Sequence, residues 1–220
     1  MPNAVIVDVV RTAGGRRNGV LSGWHPVDLA AEVLMALQKR NNLDPSLVDD
    51  VIMGCVMQVG AQGLNIGRNA VLAAGWPDSV PATTIDRQCG SSQQAYTFAA
   101  QGVMAGAYDV VVAAGVEEMS LVPMGASVSK GVGFPFTEGM NDRYIDQGGL
   151  VPQGISAEMI ADQWGLSRED LDAFGARSQQ FAERARDEGR FDNEIIPVQG
   201  RRRDKETGEV TIEDAPVTQD

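Results

Sequence analysis

The sequence is short of the residues from which many sites are built. Of its 220 residues two are cysteine, Cys55 and Cys89, and one is histidine, His25. So few Cys and His leave no zinc-ligand spacing and no disulfide framework. Basic residues are scarce relative to acidic ones, and the formal charge of −12 argues against a general nucleic-acid binder, since a phosphate backbone is held mainly by Lys and Arg. No run approaches the roughly 18 consecutive apolar residues that span a bilayer, and no basic stretch leads into a long apolar one near the start. Nor is there a glycine-rich loop of P-loop or dinucleotide spacing. The expectation is a cytoplasmic protein in a reducing compartment, without a structural metal or a membrane anchor.

What is present is enough for a sizeable core: apolar residues are 43% of the chain and charged residues 22%, the balance of a folded protein. The first part alternates strand and helix signals. AVIVDVV (4–10) is an apolar, β-branched run, and PVDLAAEVLMALQKR (26–40) has apolar residues at helical spacing. DVIMGCVM (50–57) is expected as a strand, GLNIGRNAVLAAG (63–75) as a helix ended by Gly75, and PATTID (81–86) as a short strand. A helix from about 90 to 104 then leads to the buried strand DVVVAAG (109–115). This order predicts an α/β domain whose sheet is covered by helices on both faces.

Beyond Gly115 the pattern changes. Residues 119–155 are rich in Gly, Pro and Met without periodicity and are expected as long loops. SAEMIADQW and the segment 167–189 are amphipathic helices, the second opened by Ser167 as N-cap. EIIPVQG and EVTIED form a β-hairpin across a charged turn. The domains expected are 1–118, an α/β domain, and 119–220, an inserted α+β loop domain that stops short of a final element returning to the first sheet.

Cys89 is the residue most suited to chemistry. In TIDRQCGSSQQAYTFAAQGVMAG it falls at a strand-to-helix junction, where backbone N–H groups and the positive end of the helix dipole favour a thiolate and a developing oxyanion. Gly90 admits a substrate close to the backbone. The competing assignment is a small buried hydrophobe; that suits Cys55, inside VIMGCVMQ, better than Cys89 with its polar flanks. His25, alone in LSGWHPVDL, is expected to be a solvated or capping residue rather than a base.

These segments resemble the thiolase family. IVDVVRTAGGRRNG is similar to the family's opening, GCVMQVGAQGLNIGRNAVLAAG to its second strand and helix, and DRQCGSSQQA to its nucleophile segment. AAGVEEMS (113–120) resembles its glycine-rich strand end, and QGISAEMIADQWGLSREDLDAFGARSQQFA the start of its loop domain. The resemblance implies a layered α/β fold with a mixed sheet, and acyl transfer through an acyl-cysteine on Cys89, whose backbone N–H serves an oxyanion hole. Coenzyme A is implied as co-substrate and acyl-CoA or 3-ketoacyl-CoA as substrate, with no tightly bound cofactor. Asn65, Arg68 and Glu117 match positions expected to support loops or subunit contacts.

Two positions depart from the family's pattern. Arg11-Thr12-Ala13 stands in place of the RTP opening, and Gln153, between Pro152 and Gly154, replaces a methionine near the acyl pocket. Gln153 and Gly154 are therefore candidate substrate contacts, and so are Arg201 and Arg202, in the region where the family holds the nucleotide end of coenzyme A. The competing assignment for the arginines is a solvated hairpin. The resemblance further implies a homodimer or tetramer, with loops in 119–150 contacting between dimers. It also implies a C-terminal half that carries the catalytic histidine, a second cysteine and a water-positioning asparagine. Proteolysis, truncation and a two-chain enzyme would each account for a chain without it. A ketoacyl synthase, and a non-catalytic binding or assembly subunit, are the remaining alternatives.

Overall fold

The computed structural model describes residues 3–128 and 133–220. They form two compact units, residues 1–127 with 193–220, and residues 128–192.

The first unit is built on three parallel strands, β1 (Asp50–Gly54), β2 (Ala82–Ile85) and β3 (Val111–Gly115), in the order β2-β1-β3. Central β1 is buried on both faces, as its unbroken apolar run predicts. The alternation of its side chains divides the core. Val51 and Met53 pack with Leu34, Ile66, Ala70 and Val71 of helices α1 (Pro26–Asn41) and α2 (Ile66–Ala73), while Ile52 packs with Ala95 and Ala99 of α3 (Ser91–Ala105). Gly67 brings α2 close: a Cβ there would meet the Met53 Cβ at 2.8 Å and the Thr83 carbonyl at 3.2 Å.

The helix boundaries follow local chemistry. His25 is exposed and caps α1, its Nδ1 accepting from Val27 N–H at 3.3 Å, with Pro26 in the first turn where no amide hydrogen is needed. Asn65, at φ 58°, caps α2, and Gly75, at φ +72°, follows its last turn as expected.

The segment 4–10 corrects the expectation of a first strand. It forms no strand and pairs with none, with Val5 78% and Val7 81% exposed. Residues 8–12 and 112–115 line one cleft of about 240 Å³, without a strand ladder between them. A strand requires a partner's backbone along its length. Here the tethers lie elsewhere: Asp8 accepts from Arg40 and Asn41 of α1, both at 2.9 Å, and Arg11 bridges to Ile195.

A hairpin forms as expected, β4 (Val198–Arg203) antiparallel to β5 (Val210–Val217), but its first strand takes in Arg201–Arg203, expected in the turn, and it belongs to the first unit rather than to a unit spanning 119–220. The cause is the loop 20–24. Arg201 N–H donates to Val20 O at 2.6 Å, Gly23 N–H to Arg201 O at 2.8 Å and Trp24 Nε1 to Gln199 O at 2.8 Å. Leu21, Trp24, Ile196 and Val198 bury one another between them. The three core strands are all parallel, and among the described residues antiparallel pairing is confined to this hairpin.

The second unit is helical among its described residues: α4 (Glu138–Tyr144), α5 (Gln153–Trp164) and α6 (Arg168–Asp187). The short α4 was not expected; Thr137 caps it, accepting from Met140 N–H at 3.3 Å. Ser167 and Asp170 form a reciprocal capping box at the start of α6. Leu171, Phe174 and Phe181 recur at helical spacing along α6 and stay exposed. Of the loop region 119–150, residues 129–132 lie outside those described.

Candidate active site

The C-terminal ends of the three parallel strands and the start of α3 place Cys89. After β2 the chain turns through Asp86–Gln88, Cys89 stands at φ +60°, and Gly90 opens α3 as an N-cap without a side chain. The turn is closed by Gly90 N–H to Arg87 O at 2.7 Å, and the first helical bond follows from Gln94 N–H to Gly90 O at 2.9 Å. Cys89 is exposed, in front of a helix start whose first amides no side chain caps. An accessible thiol beside such donors can attack an electrophilic carbonyl and have the resulting oxyanion stabilised in place.

Close packing under the helix sets this geometry. Gly54 and Gly115 are register partners at the ends of β1 and β3. A Cβ on Gly54 would collide with the backbone of Ser91 and Ser92, and one on Gly115 with the Ser92 side chain. Side chains at either position would hold the first turn of α3 away from the sheet.

The neighbouring strand ends are cross-tied through polar groups. Glu117, two residues past β3, accepts from Val56 N–H at 2.8 Å, Met57 N–H at 3.2 Å and Gln62 Nε2 at 2.9 Å. Gln62 is fully buried; it also donates to Met57 O at 2.9 Å and accepts from Glu118 N–H at 2.6 Å. Buried Glu118 in turn accepts from Leu121 N–H at 2.6 Å and Ser120 N–H at 3.3 Å. Gln62, Glu118 and the glycine pair were not singled out from the sequence, and Ser91 only as a small residue that leaves the helix start uncrowded. Gln62 stands in the loop segment VGAQGLN and Glu118 beside another glutamate, and nothing local marks either polar side chain as buried.

Cys55 behaves oppositely to Cys89. It is buried at the end of β1, and burial, with smaller contributions from the charges of Glu117 and Asp86, pushes its thiol up to about 12. It is held as the neutral thiol, a poor nucleophile.

The other expected site residues fall in three places. Asn65 and Arg68 brace α2 against the β2 segment: Asn65 Nδ2 donates to Ala82 O at 2.8 Å and its Oδ1 accepts from Thr84 Oγ1 at 2.7 Å, while Arg68 donates to Val80 O and, at 2.9 Å, to Asp78 O. Gln153 and Gly154 form the exposed first turn of α5, in the second unit. Arg201 and Arg202 lie in β4, engaged within the first unit. The Arg201 guanidinium stacks on Trp24 at 3.6 Å from the ring centroid, and Arg202 Nε pairs with Glu213 at 3.0 Å. A cleft of about 730 Å³ opens between residues 11–17 and 115–124, and Cys89 is not in its lining. Among the described residues no group of His, Cys, Asp and Glu stands together that could hold a metal ion, and no helix is long and apolar enough to cross a membrane.

Three parallel strands, the central one buried on both faces, and a cysteine held at a left-handed strand-to-helix junction define an α/β protein with an exposed thiol at its strand ends. Residues 4–219 match the model of the thiolase N-terminal domain, and the chain belongs to the thiolase family. It is 44% identical to a steroid 3-ketoacyl-CoA thiolase of Mycobacterium tuberculosis, across 98% of this chain and 53% of that protein. It is 44% identical to a 3-ketoacyl-CoA thiolase of Aliivibrio salmonicida and 45% identical to one of Shewanella denitrificans, across 90% and 91% of this chain and half of each relative. The chain thus spans about half the length of the curated relatives it matches.

Proposed function

We propose that this chain carries the nucleophile of a thiolase acting on 3-ketoacyl-CoA thioesters. The carrying observation is Cys89: an exposed thiol at φ +60° in front of α3, in a chain 44% identical to proteins named 3-ketoacyl-CoA thiolase. In the cleavage direction the Cys89 thiolate attacks the 3-keto carbon. The C2–C3 bond breaks, its electron pair leaves on C2 as the enolate of acetyl-CoA, and a proton delivered to C2 completes that product. The acyl group, now a thioester on Cys89, passes to the thiol of coenzyme A, and the Cys89 sulfur leaves. Condensation is the reverse.

Proton transfers accompany both steps: in cleavage the Cys89 thiol loses a proton and C2 gains one, and in acyl transfer the coenzyme A thiol loses a proton and the departing Cys89 sulfur regains one. His25 is committed to capping α1. We assign the acid–base groups to polypeptide matching the remaining half of the relatives, and the cover of Val5, Ile6 and Val7 to the same polypeptide or to self-association as a dimer or tetramer. Gln153 and Gly154 on α5 are assigned to the acyl group. The engaged geometry of Arg201 and Arg202 favours a role in the hairpin over one on a phosphate. Both cysteines are free thiols, in keeping with a reducing cytoplasm.

The test is the intact mass of the purified chain before and after incubation with acetoacetyl-CoA, with Cys89→Ser in parallel. The expected result is one acetyl adduct, mapped to Cys89 and lost in the variant. A chain that never acylates, alone or combined with polypeptide matching the remaining half of the relatives, would leave a thiolase-like subunit that binds without reacting.

A further inference from the structure

A residue with a Cβ at φ +60° is held there by its surroundings, not by its own preference. For Cys89 the holding groups lie on either side of it. Gly90 N–H closes the turn onto Arg87 O at 2.7 Å. Ser91, 7% exposed, uses both capacities of its hydroxyl on the same residue: Oγ accepts from Arg87 N–H at 3.1 Å and donates to Arg87 O at 3.2 Å. Donation to the carbonyl four residues back is common for serine in a helix. Acceptance from the amide of that residue is not, and it pins both ends of the five-residue loop at whose apex Cys89 stands. This is also not capping. A capping serine accepts from amides further into the helix, whereas Ser91 follows the cap residue Gly90 and bonds backwards.

We propose that Ser91 is a positioning residue: its hydroxyl, clasping the Arg87 amide and carbonyl, keeps Cys89 in the left-handed conformation that presents the thiol. The consequence for acyl transfer rests on the reading of Cys89 as nucleophile. Without the clasp, the Arg87 amide turns to water, the Gly90 N–H bond to Arg87 O is left to hold the turn alone, and Cys89 relaxes to negative φ. The thiol then leaves its place before the helix amides, where a small misplacement is costly in rate.

The test compares the full chain with Ser91→Ala and Ser91→Thr. Cysteine-selective isotope labelling gives the Cα and Cβ chemical shifts of Cys89, which report its φ without any thioester. Acylation by acetoacetyl-CoA, followed by mass over a range of concentrations, reports function. Alkylation of buried Cys55 by iodoacetamide reports the fold. In Ser91→Ala the left-handed signature is expected to disappear and the maximal acylation rate to fall by about tenfold or more. The half-saturating concentration should stay within about twofold, with Cys55 still protected, and Ser91→Thr should restore both signature and rate. An unchanged Cys89 signature in Ser91→Ala would overturn the inference, and so would a rate that falls only as Cys55 becomes reactive, since the role would then be plain folding. A signature lost on Ser91→Ala in a chain that never acylates would instead sink the proposed function and leave the positioning intact.

Discussion

Gly54 and Gly115 sit side by side at the ends of β1 and β3, and Ser92 occupies the space that their side chains would fill. The start of α3, and with it Cys89, is seated on two missing Cβ atoms. The two contacts are unequal, because Gly54 faces backbone and Gly115 mainly a serine side chain. Gly54→Ala is expected to destabilise the chain by about 3 kcal/mol and Gly115→Ala by about 1 kcal/mol, the range for overpacking a tight contact. Urea unfolding measures both. Equal costs would mean that α3 moves as a unit instead of yielding at Ser92.

Cys89→Gly should stabilise the fold while removing the nucleophile. A left-handed residue with a Cβ carries roughly 1–3 kcal/mol of strain, part of which is offset by the extra freedom that glycine adds to the unfolded chain. A net gain of about 1 kcal/mol in urea is expected, with Cys89→Ser near neutral and neither variant acylated. A loss of stability on Cys89→Gly would show that the position is not strained.

Cys55 predicts an alkaline limit. Its thiol is raised to about 12 in the fold, chiefly by burial, against about 8.5 in an unfolded chain. The folded state therefore holds this proton more tightly. The associated stability is complete below the unfolded value and is lost as pH rises towards the folded one. Cys55→Ala should flatten the alkaline fall in thermal midpoint, and at neutral pH iodoacetamide should label Cys89 and spare Cys55.

The acid limit involves Asp220 and Asp8. Arg11 holds Asp220 bidentately at 2.7 and 2.8 Å, with Gly14 N–H at 2.6 Å, and these contacts lower its pKa. Asp8 is lowered chiefly by its hydrogen bond from Asn41. Stability from lowered carboxyls is present above their unfolded value, about 3.9, and is lost as pH falls through the folded one. Asp220→Asn should therefore make acid unfolding begin at higher pH, as followed by circular dichroism. An unmoved midpoint would show that solvent screens this half-exposed contact.

Gln62→Leu tests the cross-tie. It fills similar space but leaves the Glu118 amide and the Met57 carbonyl without their partner, each worth about 1–3 kcal/mol when buried. A loss of about 3 kcal/mol in urea is expected, whereas Gln62→Glu, which keeps an acceptor for the amide but adds a charge beside Glu117, should be worse.

Much of this organisation was legible residue by residue. Ser167 and Asp170 announce the start of α6, Gly75 the end of α2, and the unbroken apolar run of β1 a strand covered on both sides. The polar flanks of Cys89 and the apolar ones of Cys55 separated the exposed thiol from the buried one. Failures came where a local signal needs a distant partner. Val5, Ile6 and Val7 have every property of a strand except a neighbour, and Arg201 to Arg203 look like a solvated turn until Trp24 and the loop 20–24 meet them.

By itself the sequence determined the periodicities, the caps and the family, because these depend on residues within a turn or two of one another and on motifs kept in order. Tertiary structure alone decided that Gly54, Gly115 and Ser92 share one contact, that Gln62 lies buried between two glutamates, and that Ser91 reaches back to Arg87. Such contacts depend on where strands end in space, and no spacing along the chain encodes the distance between the ends of β1 and β3.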